Sequence, residues 1–235
     1  MMDEEACCRI VGSTILCLDH GFARLVDHMG TDINVVRAAR VSHDAAWRAG
    51  VDHGSDVRLI NYLWKNHHTT PFEAVTFTFE VKAPIFVFRQ WHRHRTWSYN
   101  EVSARYTELP EEFYLPDGNQ IGVQSKTNKQ GRDTTITTAT TANMRNAMHS
   151  HMVSAFRLYK HLLECDVPRE LARSVLPVAT YSHMFATVNL LNLFRFLTLR
   201  CDEHAQYEIR VYADAMLALI RSIVPACVAA WEDNK

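Results

Sequence analysis

Residues 75–82 contain the pattern that most limits the possible folds of this chain of 235 residues. Apolar and polar side chains alternate there, and the apolar ones are Val75, Phe77, Phe79 and Val81. Because successive side chains of a β-strand point to opposite faces, the alternation predicts a strand with one buried and one polar face. Pro84 follows, and proline is well placed in the first turn of a helix. The sequence therefore predicts a strand that leads directly into a helix over 85–97.

The rest of the chain predicts a mixture of strands and helices. Strands are predicted at 9–18, 22–28 and 178–188, and helices at 32–41, from 55 to before Pro71, after the run 134–141, from Pro168, at 190–201, and from 202 or 203 to 223. Asp32 is expected to cap the first helix, and Pro225 to end the last. The helix after 134–141 is expected to face inward with Met144, Met148, Met152 and Phe156. Residues 107–132 predict a long surface loop. Hydrophobic residues make up 47% of the chain, which is enough for one core, so a single domain over 1–235 is expected.

Residues 89–106 form the chemically most distinctive stretch. Four arginines, Arg89, Arg93, Arg95 and Arg105, stand there against one acid, Glu101, among histidine, tryptophan and tyrosine rings. Planar cations suit phosphate groups, and neighbouring rings suit a planar heterocycle. The stretch therefore predicts a nucleotide site, used for catalysis or for recognition. Beyond Ser98, irregular backbone is expected through Arg105, with N–H groups available to an anion.

Three classes of function fit such a stretch. They are an enzyme that acts on a nucleotide with a cofactor, a nucleic-acid binder that stacks bases on its aromatic residues, and a metal-dependent phosphohydrolase that uses the 13 histidines. The net charge of −1 and the lack of a second basic stripe argue against nucleic acid as a partner. The histidines also lack metal-ligand spacing, so no metal is expected. A yellow colour of the purified protein would favour the first class.

The sequence gives no sign of export or of an attacking side chain. No apolar run reaches the roughly 18 residues of a membrane span, and the N-terminal residues do not form a signal peptide, so a cytoplasmic location without membrane contact is expected. The six cysteines form no CxxC pair and are expected to be reduced thiols. Motifs of serine hydrolases, P-loops and Rossmann turns are also absent. This absence is informative if a cofactor carries the chemistry.

Three motifs resemble those of the flavin-dependent thymidylate synthases. The first is Arg93-His94-Arg95 followed by Ser98, Asn100-Glu101, Ser103 and Arg105-Tyr106. The second is His68-Thr69-Thr70-Pro71-Phe72-Glu73, and the third is Leu199 to Ile209, where Arg200 is followed four residues later by His204 and then Ala-Gln. Arg200, His204 and Glu208 would line one face if helical geometry continues through residue 202. The resemblance extends over about 18–220, with the motifs in the expected order.

The resemblance implies a fold, an assembly and a reaction. The fold is of the mixed α/β (α+β) class, with a central, mostly antiparallel sheet flanked by long helices, and the assembly is a homotetramer whose active sites combine several chains. The reaction is the conversion of dUMP to dTMP. Methylenetetrahydrofolate gives the one-carbon unit, reduced FAD supplies hydride, and NADPH restores the flavin. No covalent bond to the enzyme is implied.

The resemblance also assigns residues. Arg200 is the implied catalytic residue, which polarises or deprotonates the uracil ring. The residues implied to bind dUMP are Gln90, Arg93, Glu101, Val102, Ser103, Ala104, Arg105, Arg173 and Arg200, with Arg173 reaching in from a neighbouring subunit. Those implied to border FAD are His68, Thr70, Arg93, His94, Arg95, Glu101, Asn189, Arg195 and His204. The chain departs from the family pattern at Ala74, at Leu191 and at Arg195, which would take over an adenine-side or phosphate contact.

Overall fold

A five-stranded antiparallel sheet forms the centre of the computed structural model, which describes residues 11–235. The strands are β1 (Thr14–Cys17), β2 (Gly21–Met29), β3 (Thr76–Pro84), β4 (Ser98–Glu101), β7 (Tyr181–Asn189) and, in a separate hairpin, β5 (Gly122–Gln124) and β6 (Arg132–Thr135). The strand order of the central sheet is β1-β2-β3-β7-β4, so β3 lies in the middle. The expected class, mixed α/β with a central antiparallel sheet, is confirmed.

The helices of the described residues surround this sheet. They are α1 (Asp32–Arg40), α2 (His53–Lys65), α3 (Ile85–Trp91), α4 (Thr138–Glu164), α5 (Arg169–Ala172), α6 (Leu190–Arg200), α7 (Tyr207–Ile220) and α8 (Pro225–Glu232). Helix α7 packs on β1 and β2, and both α3 and α6 contact α7. The main core therefore lies between the apolar face of the sheet and the C-terminal helices. Within residues 11–235, every helix is too short or too polar to span a bilayer.

The position of β3 explains its alternating sequence. Phe77, Phe79 and Val81 are fully buried in the core. Strand β3 pairs with β2 on one side and along its whole length with β7 on the other, from Thr76 opposite Asn189 to Pro84 opposite Tyr181. The strand then passes directly into α3, as predicted.

The other face of β3 carries a buried carboxylate. The side chain of Glu80 is 8% exposed, contacts the guanidinium of Arg24 on β2, and lies 2.6 Å from Nε2 of His183 on β7. Next along β3, the Lys82 ammonium pairs with Glu112 at 2.6 Å. Since burial of a lone charge is very unfavourable, the position of Glu80 requires a cation such as Arg24 beside it, and His183 adds a second polar contact.

Asp32 has a different role from the predicted one. Thr31 is the N-cap of α1, and it forms a reciprocal capping box with Asn34. The Asp32 carboxylate instead accepts hydrogen bonds from the backbone N–H groups of Ala226 (2.9 Å) and Cys227 (3.0 Å) in the first turn of α8. Asp32 therefore fastens the C-terminal helix to α1, a contact between residues that are far apart in sequence.

We expect Asp32→Ala to lower the free energy of unfolding by about 1–2 kcal/mol, because it leaves N–H groups at the start of α8 without an acceptor. Urea unfolding followed by tryptophan fluorescence would measure the change. Asp233→Ala is the matched control, since Asp233 is exposed just beyond α8 and its replacement should change stability by less than about 0.5 kcal/mol. Equal losses in the two variants would contradict the capping role.

Several predicted boundaries are wrong. The first strand covers Thr14–Cys17 rather than 9–18, and residues 9 and 10 lie outside the described part of the chain. The last long helix begins at Tyr207 instead of 202 or 203, because the Asp202 side chain accepts from the His204 N–H (2.8 Å) and forms a turn that competes with helix. Pro225 begins α8 rather than ending a helix, as suits proline in a first turn.

The middle of the chain also differs from the prediction. Residues 107–132 are not one irregular loop, since they include a 3-10 turn at Gly118–Gln120, strand β5 and the start of β6. In α4, Phe156 is buried as predicted, but Met144 is 43% exposed. The apolar stripe of α4 is thus longer than the surface that this single chain covers.

Candidate active site

The site is organised by the end of α3, which comes earlier than predicted. The helix stops at Trp91 rather than near residue 97, and the Tyr99 hydroxyl donates to the carbonyls of Trp91 (3.2 Å) and His94 (2.9 Å). Terminal helix carbonyls need such partners. Residues 98–101 are then not irregular but form β4, which pairs with β7 from Ser98 opposite Thr187 to Glu101 opposite Met184.

A cavity of about 630 Å³ lies between α3, the end of β4 and the segment that follows α5. Its polar lining includes Arg89, His92, Glu101, Ser103, Arg173 and Ser182. Val102 and Ala104 line it as well. Five residues predicted to bind dUMP, 101–104 and Arg173, thus meet at one cavity within a single chain.

The floor of this cavity is ordered by short-range contacts. Glu101 accepts a hydrogen bond from the Ser182 hydroxyl at 2.6 Å. Beyond it, the backbone turns at Ser103, whose hydroxyl accepts from the Arg105 N–H (3.3 Å) and whose carbonyl accepts from the Tyr106 N–H (2.9 Å). The irregular backbone predicted for 98–105 is therefore limited to the residues after Glu101.

Arg105 and Arg173 both contact Glu170. Both line a more open groove that adjoins the cavity. The Arg105 Nε lies 3.7 Å from the Glu170 carboxylate, and the Arg173 Nε donates to the Glu170 carbonyl (3.4 Å). Two guanidinium groups and the Ser103 hydroxyl thus border one region, which suits a phosphate group. Arg173 reaches this region from the same chain, whereas its predicted contribution from a neighbouring subunit stays a prediction.

Arg200, the predicted catalytic residue, is held by His94. Its Nε donates to Nε2 of His94 at 3.1 Å, from the end of α6 to the turn after α3. Burial, with a further contribution from the Arg200 charge, lowers the pKa of His94 from 6.5 to about 4. The ring is therefore neutral at pH 7 and accepts the hydrogen bond. The Phe196 ring, 4.9 Å from that of His94, supports it from the side.

The other predicted residues fall into two further groups. Asn189 caps α6 by accepting from the Asn192 N–H (2.9 Å), and the Asn192 side chain in turn accepts from Arg195 (3.1 Å). His68 and Thr70 are exposed in the connection between α2 and β3. None of these four predicted residues lines the cavity described above.

One predicted alignment is wrong. Arg200, His204 and Glu208 do not share a helix face, because the chain turns between α6 and α7. His204 is exposed and pairs with Asp202 at 2.9 Å. Glu208 is buried, and its partners are Tyr114, Arg132 and Gln206.

Some residues around the site were missed. Arg89 belongs to the cationic stretch, yet it was not assigned to the nucleotide, although its spacing of four residues from Ile85 places both on the cavity side of α3. Ser182 comes from β7 and had no sequence signal. Gln206, which accepts a hydrogen bond from Gln90, stands within the third motif and could have been found there.

Three cations of the stretch remain available to a ligand. In the described part of the chain, no ion pair involves Arg89, Arg93 or Arg95. All three are exposed at or just beyond the end of α3. Such a concentration of unneutralised guanidinium groups favours an anionic partner.

Comparison with known proteins identifies the family. A family model described as thymidylate synthase complementing protein matches residues 24–226. The flavin-dependent thymidylate synthase of Treponema denticola is 45% identical over 222 residues, which cover 93% of this chain and 81% of the relative. The chain belongs to the flavin-dependent thymidylate synthases. That of Pseudothermotoga lettingae is 44% identical, with 90% of each chain covered.

Solved structures agree with this assignment. The crystal structure of the UMP/dUMP methylase PolB from Streptomyces cacaoi bound with 5-Br dUMP has a TM-score of 0.84 and 37% identity, and the match covers 93% of this chain and 97% of that one. The same protein bound with 5-Br UMP matches with a TM-score of 0.84 and 36% identity. The family predicted from the three motifs is therefore confirmed.

The side chains of this flavin-dependent thymidylate synthase fit a flavin nucleotide. A dinucleotide such as FAD combines a diphosphate with flat rings, and it needs cations, amides and hydroxyl groups near surfaces for stacking. Arg93 and Arg95 supply guanidinium groups without an ion pair within the described residues, and Asn189 stands at the N-terminus of α6, an end of a helix that favours anions.

Among residues 11–235, no group of three His, Cys, Asp or Glu is placed to hold a metal ion.

The pKa of His94 gives a pH prediction. Because the folded pKa of about 4 is below the ordinary value of 6.5, the unfolded chain binds a proton that the folded chain does not bind between these values. Stability contributed by neutral His94 is therefore present above about pH 6.5 and is lost as the pH falls toward 4. We expect His94→Gln, which retains an acceptor but does not titrate, to flatten this part of the pH dependence.

Urea unfolding at several pH values between about 7 and 4.5 would measure the effect, with His20→Gln as control. His20 is exposed, its ring meets Tyr181 edge-on, and its hydrogen bond to the Tyr181 hydroxyl comes from the backbone N–H, which the substitution keeps. The same slope in wild type and in the His94 variant would show that folding does not lower the pKa of this imidazole.

Proposed function

We propose that this flavin-dependent thymidylate synthase methylates C5 of dUMP to give dTMP, with FAD as cofactor, methylenetetrahydrofolate as carbon donor and NADPH as reductant. A single domain over 1–235 would form the subunit, in the cytoplasm and without nucleic acid or membrane as partner. The observation that carries this proposal is the contact between Arg200 and neutral His94, and the cavity with Arg89 and Arg173, on another side of α3, supports it.

Arg200 would polarise the uracil ring. Its Nε is already occupied by His94, so the terminal nitrogens of the guanidinium are left for a ligand. C5 of uracil becomes more electron-rich as the N3–H bond is polarised, and a cation fixed beside the ring edge stabilises the negative charge that develops on the ring. Because His94 and Phe196 hold the group before substrate arrives, little reorganisation is needed when charge develops.

The described thiols support a mechanism without a covalent bond to the protein. Burial raises the pKa of Cys17 and of Cys201 to about 12, and Cys227 is fully buried with its pKa raised as well. Such thiols are protonated at pH 7 and are poor nucleophiles. Cys165 is exposed, with its Sγ 3.8 Å from His161, a neighbour that the sequence did not reveal, but it lines neither the cavity nor its adjoining groove.

The binding roles follow the predicted sets. Ser103, Arg105 and Arg173 would hold the phosphate of dUMP, and Glu101, Val102 and Ala104 its sugar. Gln90, Arg93 and Arg200 would contact the base. The flavin would be bordered by His68, Thr70, Arg93, His94, Arg95, Glu101, Asn189, Arg195 and His204, and when bound it would supply the electrons that reduce the transferred one-carbon unit to a methyl group.

The positions of the residues proposed to bind dUMP favour an active site that two chains form together. Arg89 and His92 face the cavity, while Gln90 faces Gln206 on another side of α3. Residues 101–104 and Arg173 are therefore separated by this helix from Gln90 and Arg200 in one chain. A second chain that brings its own cavity to the Arg200 side would unite both groups around one nucleotide. This is our reason to propose the homotetramer, whose exposed α4 stripe would be covered in the assembly.

The visible absorption spectrum of the purified protein, recorded anaerobically before and after addition of NADPH and dUMP, tests the proposal. We expect a flavin spectrum that NADPH bleaches, and dTMP among the products once methylenetetrahydrofolate is present. UMP in place of dUMP is the comparison substrate, since PolB structures hold the 5-bromo form of each. A protein that neither retains nor rebinds FAD would refute the proposal.

A further inference from the structure

Glu208 is a buried carboxylate that the proposed chemistry does not use. It is 2% exposed and accepts three hydrogen bonds. Its Oε1 accepts from the Tyr114 hydroxyl (2.9 Å) and from Nη2 of Arg132 on β6 (2.8 Å), and its Oε2 accepts from Nε2 of Gln206 (2.8 Å). The carboxylate is thus fully engaged, and one of its oxygens serves Gln206 alone.

These contacts fix the orientation of two amides in series. An ionised carboxylate only accepts hydrogen bonds, so Gln206 must turn its NH2 group toward Glu208. The Gln206 carbonyl oxygen then faces Gln90 and accepts from its Nε2. The Oε1 of Gln90 is left on the opposite side of its amide, as an acceptor.

We infer that Glu208 is a positioning residue that, through Gln206, presents the carbonyl oxygen of Gln90 to an N–H or O–H donor of the bound nucleotide. This inference rests on the proposed function, because it takes Gln90 to contact dUMP. Without Glu208, the amide of Gln90 is free to flip between two orientations. In one of them it presents NH2, which cannot accept a hydrogen bond, to the donor of the nucleotide.

A purely structural role is the alternative. Arg132 begins β6, and its pairing with Glu208 attaches the β5–β6 hairpin to α7. The two roles use different oxygens of the carboxylate, so variants can separate them. Tyr114→Phe removes a partner of Oε1, whereas Gln206→Leu removes the partner of Oε2 and leaves Glu208 with Arg132 and Tyr114.

Glu208→Gln makes a sharp test. Arg132 and Tyr114 are donors and would draw the new carbonyl oxygen to their side, so the new NH2 group would face Gln206. Gln206 would then turn over, followed by Gln90, which would offer NH2 where it had offered oxygen. We expect dUMP to bind about 10-fold or more weakly to flavin-loaded Glu208→Gln and Gln206→Leu, and within about twofold of wild type to Tyr114→Phe.

A double-mutant cycle with Gln90→Met distinguishes positioning from structure. In that background there is no amide to orient, so Glu208→Gln and Gln206→Leu should change the Kd of dUMP, measured by calorimetry, by less than about twofold. Equal losses with and without Gln90, or wild-type binding by both single variants, would overturn the inference. Gln206 is exposed, so its replacement should not prevent folding. Gln206→Leu therefore tests the same contacts if Glu208→Gln does not fold.

Failure of the proposed function would give a different result, because the wild-type protein itself would then not bind dUMP.

Discussion

Replacing Arg200 with lysine should lower kcat for dTMP formation by about 100- to 1,000-fold while flavin stays bound. Removal of one preorganised group that stabilises developing charge has an effect of this size in enzymes. Lysine keeps the positive charge but is a point charge on a flexible chain, and it has no Nε between His94 and the terminal nitrogens. Steady-state rates with saturating dUMP, together with the visible flavin absorbance, would measure both quantities.

Arg221→Lys is the matched control. Arg221 forms an exposed bidentate pair with Glu232 at 2.7 and 2.9 Å, at the far end of α7 from Arg200. Its replacement should leave kcat within about twofold of wild type. Full activity of the Arg200 variant would remove this residue from the mechanism, and loss of flavin in that variant would assign it to the cofactor instead.

Phe196→Ala should lower the free energy of unfolding by about 3–5 kcal/mol, the usual loss for a fully buried phenylalanine. Phe196 is 0% exposed, stacks on Trp91 with 4.9 Å between ring centroids, and also touches Trp97 and His94. Since domains are stable by only about 5–15 kcal/mol, much of the stability would be lost. The variant would also release His94, so Arg200 should become less ordered.

Urea unfolding would measure this loss, with Phe185→Ala as the control. Phe185 lies on β7 and is 39% exposed, so the same truncation there should have less than a third of the effect. Comparable losses in the two variants would show that the cluster around Trp91 is not a main part of the core.

The sequence predicts the local patterns well and the contacts between distant segments poorly. Strand β3 follows from alternation, because that pattern reflects a single apolar face, and the predicted bounds of α6 are also close to those of the structure. The end of α3 does not follow in this way. It depends on the Tyr99 hydroxyl and on pairing of β4 with β7, which lies more than 80 residues further along the chain.

The candidate site shows the same limit. The three motifs predict the family, and they contain most of the polar residues of the candidate site, including Arg200 and its neighbour His94. No spacing rule predicts that His94 is the acceptor for Arg200, that Ser182 donates to Glu101, or that Glu208 turns away from Arg200. These contacts are set by the turn between α6 and α7 and by the sheet, which a single sequence does not specify.

The buried carboxylate on β3 has a consequence for strand alignment during folding. A slip of one residue between β2 and β3 would expose the apolar face, but a slip of two would keep every apolar side chain inside. Arg24 would then stand opposite Thr78 or Lys82 instead of Glu80, which removes the cation opposite Glu80 and, in the second case, brings two cations together. The pairing of Arg24 with Glu80 therefore disfavours strand registers that burial of the apolar side chains alone would permit.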